Sequence, residues 1–370
     1  MTAPVTSPFV AADPAIETGP AISVVMAAYN GAGLIEDTIA SVLAQDFADF
    51  ELIVVDDAST DDTLDRLRAI DDPRLIVIAS PANGGPVVAR NRAFAAARGR
   101  YIVGLDQDDL CHTDRFATQF AYLEAHRDTV LVASAADLLE QGVIRPPRGP
   151  ARTTPAMIAW RLQFGNPLVW SSVMFRGDVA RRMPVFERTE RLFAEDYDFY
   201  HRIAEYGAIA RIDRALLSYR MHPGGASQRF TAMMGASAAS VLATAYAPLF
   251  GDEAESAARL AVIHFNGGAP VPDRATLGRV GDIVTIVHER FCASRRPDAA
   301  DSALIMDEYA RLWWQMANAS VRSGALSSRT VLAACPAALR AYPRSPRQAA
   351  SSVVIGKCRS ILSRWKAFAQ

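Results

Sequence analysis

From residue 21 onward, short apolar runs alternate with stretches of helical periodicity, the order expected of a mostly parallel sheet with crossover helices. Ile22 to Ala28 reads as a buried strand, and Leu34 to Gln45 then places Leu34, Ile35, Thr38, Ile39, Val42 and Leu43 on one helical face. Glu51 to Val55 predicts a second strand ending at Asp56-Asp57, after which Ser59-Thr60-Asp61-Asp62 offers capping oxygens to a helix running to about Ile70. Arg74 to Ala79 predicts a third strand, Pro86 to Arg98 a third helix opened by Gly84-Gly85, and Tyr101 to Leu105 a fourth strand that runs into Asp106-Gln107-Asp108-Asp109. Ligands of open α/β sheets sit beyond the carboxyl ends of the strands, so both acidic clusters fall where chemistry is expected.

A helix over Thr113 to Arg127 and a strand over Val130 to Ala136 follow, and a Pro/Arg/Gly-rich break from Arg145 to Thr154 marks a change of subdomain. Trp170 to Phe175 predicts a strand, Asp196 to Tyr206 an amphipathic helix, and Ile209 to Asp213 and Leu217 to Met221 two short strands. Past Pro223-Gly224-Gly225 the chain becomes Ala-rich and helical, with breaks at Gly267-Gly268, Pro270, Pro272 and Pro343. The reading divides into a loose tail over 1–20, an α/β unit over 21–228, a helical region over 229–342 and a basic amphipathic tail over 343–370.

Composition narrows this picture. The 370 residues are 50% hydrophobic and 21% charged, ample for a core, and the net charge of −1 argues against a nucleic-acid binder. That average hides an asymmetry: from Tyr309 to Gln370 there is no acidic residue against ten basic ones, leaving 29 basic and 40 acidic residues elsewhere. The four cysteines lack CxxC spacing, which points to a reducing cytoplasm. Residues 1–20 do not read as a secretory signal. No run reaches the roughly 18 uninterrupted apolar residues of a membrane span; the Ala-rich stretch near Ser240 to Phe250 is short and broken by Pro248. A soluble or surface-associated protein is expected.

Three carboxylates as close as Asp106, Asp108 and Asp109 repel unless a cation is shared, and hard oxygen ligands with open positions suit Mg²⁺ or Mn²⁺ completed by a diphosphate. The alternative is helix capping. Asp57 at a strand end can accept from a nucleobase or ribose, or make a turn; Tyr29-Asn30-Gly31 can stack on a base or make a βα turn. Glu195-Asp196 opens a helix, where carboxylates are favoured by the dipole or serve as a general base. His222 is a metal or phosphate ligand, or a packed strand-end histidine.

Taken in order, Ile22-Ser-Val-Val-Met-Ala-Ala-Tyr-Asn-Gly31, Leu52-Ile-Val-Val-Asp-Asp-Ala-Ser-Thr-Asp61, Asn83-Gly-Gly-Pro-Val-Val-Ala-Arg-Asn-Arg92, Gly99-Arg-Tyr-Ile, Leu105-Asp-Gln-Asp-Asp109, Glu195-Asp196 and Tyr219-Arg-Met-His222 resemble the family-two inverting glycosyltransferases. The likeness covers about Ala21 to Ser227. It implies the GT-A fold, a Rossmann-like, mostly parallel α/β sheet with flanking helices, here followed by a mainly helical C-terminal region. It further implies a nucleotide-binding half over 21–137 and an acceptor half over 138–228. By this resemblance a nucleotide-diphospho-sugar would be the donor and Mn²⁺ or Mg²⁺ the cofactor. Ala27, Tyr29, Asn30, Asp57, Arg90, Asp106 and Gln107 would lie at the nucleotide, Asp108 and His222 at the metal, and Glu195 and Trp170 toward the acceptor. Asp196 would be the base. Ala27 stands where many relatives have proline, and the Q-x-x-R-W signature of processive synthases is missing, so a non-processive hexosyltransferase is expected.

Ser351 to Phe368 interleaves Trp365, Phe368 and aliphatics with Lys357, Arg359, Arg364 and Lys366, a pattern that fits an interfacial helix on anionic lipid or a terminal helix docked on the acidic body. The expected acceptor is a lipid-linked or cell-surface glycan, met in the cytoplasm or at the inner face of the cytoplasmic membrane. The competing class is an inactive nucleotide-sugar-binding scaffold of the same fold.

Overall fold

In the computed structural model the described residues are 19–146, 150–225, 229–342 and 352. The chain forms β1 (Ile22–Ala28), α1 (Ile35–Leu43), β2 (Phe50–Asp56), α2 (Thr63–Arg68), β3 (Leu75–Ala79), α3 (Pro86–Ala96) and β4 (Tyr101–Gly104). β3, β2, β1 and β4 are neighbours in that order and all parallel, with Val24 opposite both Leu52 and Val103. β1, β2 and β4 carry Val, Ile and Leu on both faces because helices cover both sides. Val24, Met26, Leu52, Val54 and Val103 pack with Ile35, Ile39 and Phe116, whereas Val25, Ile53, Val55 and Ile102 pack with Ala89 and Ala93 of α3. Parallel register brings Tyr29, Asp57 and Asp106 out at one edge of the sheet.

The second half breaks the parallel order. It contains β5 (Leu110–Cys111), α4 (Arg115–Ala125), β6 (Thr129–Glu140), β7 (Val143–Arg145), α5 (Pro155–Arg161), β8 (Met174–Arg176), α6 (Gly177–Arg182), α7 (Glu195–Ile203) and β9 (Ala208–Met221). β8 inserts antiparallel between β4 and β6, β9 pairs parallel to β6, and β5 closes the edge antiparallel to β9. Three expectations change here. Trp170 to Phe175 is not one strand: Trp170–Ser172 is a 3₁₀ turn, closed by the Ser172 N–H and hydroxyl on the Val169 carbonyl, and only then does β8 start. The two short strands over 209–221 are one strand whose register slips near Ser134–Ala136 of β6. α5 was not foreseen, although Thr154 caps it through the Met157 N–H and Pro155 stands at its first position, a recognisable start signal.

The C-terminal region comprises α8 (Thr231–Phe250), α9 (Ala254–Leu260) running into a π turn (Ala261–Asn266), α10 (Arg274–Arg295), α11 (Ala299–Ser323) and α12 (Ser328–Ala333). Its apolar core is continuous with that of α3 and α5, through Trp160, Phe164, Phe265, Tyr309 and Trp313. By length and composition alone the helical run Thr231–Asn266 is long and apolar enough to cross a membrane, which the reading for an uninterrupted apolar run did not anticipate; its first helix includes Pro248 and ends at Phe250. Its Val241, Leu242 and Tyr246 lie in the core, while only 22% of its most apolar window is buried. The tail over 351–370 lies outside the described residues except for Ser352, and residues 1–18 lie outside them entirely.

Candidate active site

The Asp106–Asp109 loop leaves β4 and is bound to its neighbours atom by atom. The Asp106 N–H donates to Ser171 Oγ at 3.0 Å, and the Gln107 carbonyl accepts from Thr38 Oγ1 at 2.9 Å. Buried Asp109 accepts the Arg220 N–H through Oδ1 at 2.9 Å, pinning the loop to the end of β9. That tie, with the β5–β9 pairing, sets Asp108 beside His222, Oδ2 to Nε2 at 2.7 Å. Asp109 Oδ2 has no partner, and burial together with Asp108 and Asp106 holds this carboxyl well above its ordinary range. Asp106 is pushed up to about 6, by desolvation first and by Asp108 and Glu195, against the pull of Arg90.

The strand-end residues divide between display and scaffolding. Tyr29 is 44% exposed, its ring free of the core. Its backbone is gripped by Gln107, whose Oε1 accepts the Tyr29 N–H at 2.9 Å while Nε2 donates to the Tyr29 carbonyl at 3.0 Å. Gln107, expected at the nucleotide, therefore spends its amide on holding Tyr29. Asn30 likewise serves its neighbours: its Oδ1 accepts from the Thr60 N–H at 2.8 Å, and its own φ of 49° is one that asparagine tolerates. Asp57 is buried and takes the N–H groups of Gly84 and Gly85 at 2.9 and 2.7 Å, which orders the start of α3. Ala27 is half-buried within β1.

Across the floor runs a chain of charge centred on Arg90, which the sequence placed at the nucleotide. Here its guanidinium is engaged by carboxylates instead: Nε donates to both Glu187 oxygens at 2.8 and 3.1 Å, Nη2 pairs with Glu195 Oε1, and Nη1 lies 3.6 Å from Asp106 Oδ1. One buried cation thus ties the loop after β4 to the first turn of α7. Trp170, expected toward the acceptor, is instead buried beneath this network, with Arg90 5.4 Å above its ring. A Cβ on Gly104 would fall 2.6 Å from that ring, so a glycine there admits the indole.

Asp196, next to Glu195, accepts the Asn166 amide through Oδ2 and the Tyr197 N–H through Oδ1, both at 2.7 Å. Burial and the Glu195 charge push it up to about 7, the range in which a carboxylate takes up a proton near neutrality. Glu187 is pushed up to about 8 by burial and Glu195, despite Arg90. One cation facing three carboxylates leaves negative charge uncompensated, so the cluster as a unit keeps a proton into the neutral range. Fully buried Tyr200 faces Asp196, Glu187 and Asp106 with an unpartnered hydroxyl.

Sequence reading missed Glu187, Ser171, Asn166 and Tyr200. No local motif marks them. Among the described residues no group of three or more His, Cys, Asp or Glu side chains forms a ready-made metal cage. The Asp108–His222 pair still offers one hard oxygen and one imidazole nitrogen at a half-open position, with an orphaned Asp109 oxygen behind it, and this donor set fits Mg²⁺ or Mn²⁺ completed by diphosphate and water.

The model of glycosyl transferase family 2 matches residues 23–182. The succinoglycan biosynthesis protein ExoO of Rhizobium meliloti is 36% identical over 47% of this chain and 50% of its own length. The Escherichia coli UDP-Glc:α-D-GlcNAc-diphosphoundecaprenol β-1,3-glucosyltransferase WfaP is 40% identical over 29% of this chain and 42% of its own. The chain thus spans about half the length of these two, while further curated relatives match at 30–31% identity over 69–72% of theirs. Staphylococcus aureus TarS (residues 1–349, in complex with UDP) shares the fold, with a TM-score of 0.50 and 16% identity over 93% of this chain and 91% of that one. On the ordered motifs, the sheet that presents them and these matches, the chain belongs to glycosyl transferase family 2.

Proposed function

We propose that this chain transfers a sugar from a nucleotide-diphospho-sugar to a hydroxyl of a lipid-linked or cell-surface glycan by a single inverting displacement. The observation that carries this reading is Asp196: a carboxylate pushed up to about 7, oriented by Asn166 and joined through Glu195 and Arg90 to Asp106. Asp196 takes the proton of the acceptor hydroxyl, whose oxygen forms the new bond to the anomeric carbon. The bond to the diphosphate oxygen breaks on the opposite face, and its electron pair leaves with the nucleoside diphosphate. Exposed Tyr29 packs on the base, and Asp57 reaches it with the lone pairs that the glycine N–H groups leave free. Asp108 and His222 would hold a divalent cation, which when bound offsets charge on the departing diphosphate.

The acceptor class is supported by WfaP, whose name specifies a diphosphoundecaprenol-linked sugar, and ExoO supports a place in polysaccharide synthesis. A lipid-linked acceptor would place the enzyme at the inner face of the cytoplasmic membrane, where the basic residues over 351–370 favour anionic lipid. Asp196→Asn is the test. Because a positioned base contributes on the order of 10²- to 10⁴-fold, the variant should nearly lose transfer while still binding donor. Turnover at the wild-type rate would defeat the proposal, and loss of donor binding as well as turnover would mean a folding defect in its place. A wild-type protein that binds nucleotide-sugars and never turns them over would be the inactive scaffold.

A further inference from the structure

The segment from Trp160 to Asn166 leaves α5 and ends on the residue that orients Asp196. The Asn166 amide has one available orientation: its Oδ1 accepts the Leu168 N–H at 3.0 Å, which leaves Nδ2 to donate to Asp196 Oδ2. Behind it, five of the preceding six residues are gripped by the C-terminal helices. Trp160 Nε1 donates to His288 of α10 at 3.2 Å, and Arg161 pairs with buried Glu308 of α11. The Gln163 carbonyl accepts the hydroxyl of buried Tyr246 of α8 at 2.7 Å, and Phe164 packs against Phe265 with ring centroids 4.8 Å apart. Gly165 lies so close to Asn266 that a Cβ there would fall 2.2 Å from its amide nitrogen. Tyr197, adjacent to the base, adds a hydroxyl donated to the Leu162 carbonyl at 2.6 Å.

We infer that the C-terminal helices act as the positioning frame of Asp196, transmitting their placement through the 160–166 segment to the Asn166 amide. This rests on the reading of Asp196 as base, and it makes Asn166 a positioning residue. The other groups facing Asp196 are Glu195, Glu187 and Arg90 of the ion-pair cluster, together with Tyr197 and Tyr200 of its own helix. Of these, Tyr197 is itself tied to the segment through the Leu162 carbonyl, so Asn166→Ala, which leaves that bond alone, is the variant that isolates the amide.

The test is a ¹³C NMR titration of full-length protein labelled at aspartate Cγ, with the Asp196 signal assigned by its loss in Asp196→Asn. An amide donating to the ionised form stabilises it, so Asn166→Ala should raise the titration midpoint of Asp196 by about one unit. Gly165→Ala, which pushes the segment off Asn266, should raise it too, and adding Asn266→Ala should bring it back toward wild type. Tyr246→Phe, a milder change should Gly165→Ala fold poorly, should give a smaller rise. Midpoints at the wild-type value in Gly165→Ala and Tyr246→Phe, with only the melting temperature lowered, would overturn the inference. Turnover retained by Asp196→Asn would instead defeat the assignment of the base, a separate readout.

Discussion

At the scale of single residues, Arg90 decides how the two acidic clusters coexist. Removing one partner of a buried pair leaves charge uncompensated, so Arg90→Met should cost about 3–5 kcal/mol near pH 8 by urea unfolding. Without the cation, the affinities of Glu187 and Asp106 for protons rise further in the folded state. Between their unfolded and folded pKa values the native state then binds more protons than the unfolded one, so stability falls as pH rises. The deficit should therefore shrink at pH 5, where these carboxyls are neutral; equal deficits at pH 5 and 8 would contradict the cluster's electrostatic account. The acids and Arg90 itself were legible as motif members. Their partners were not: Glu187 stands 97 residues from Arg90 and Asn166 stands 30 from Asp196, and neither neighbourhood has a pattern of its own. Gln107 and Trp170, expected at the ligands, also carry internal contacts that no motif announces, the one to the Tyr29 backbone and the other beneath Arg90. A motif marks which residues matter at a strand end, and only packing tells whether a side chain faces a ligand or props up its neighbour.

Among the elements, β1, β2 and β4 were read within a residue or so of their ends, because strands buried on both faces need an uninterrupted apolar run. β9 was split in two because its middle, Asp213-Arg214, is polar where the register slips. That irregular strand matters for chemistry, since its end carries His222 and receives Asp109. Asp109→Ala should free the loop from the Arg220 N–H and weaken Mn²⁺ binding about 10- to 100-fold by isothermal titration, the usual cost of losing a group that orients a ligand. An unchanged affinity would mean that Asp108 and His222 hold their places without that tie. The packing of Trp170 against Gly104 makes a parallel claim about β4: Gly104→Ala should destabilise by about 1–3 kcal/mol through overpacking, measured by the shift in urea midpoint.

On the scale of the whole molecule, the helical C-terminal region was visible as a change of composition after Gly225, but its relation to the α/β unit was not. Alanine-rich periodicity says that helices form and leaves open what they pack against; here they share one continuous core with α3 and α5 and grip the segment whose Asn166 bonds Asp196. The charge asymmetry belongs to this scale too, with 40 acidic and 29 basic residues before Tyr309 and ten basic residues with no acidic one from there on. The central claim is that the strand-end site binds a nucleotide-sugar together with a divalent cation. A thermal-shift panel of UDP-, GDP-, dTDP- and CMP-sugars, each with and without Mn²⁺ or Mg²⁺, tests it most directly, because a ligand bound only by the native state raises its melting temperature. The predicted result is a metal-dependent rise for one nucleotide class that Asp108→Ala abolishes. No rise with any donor, or a rise that persists undiminished in Asp108→Ala, would contradict it.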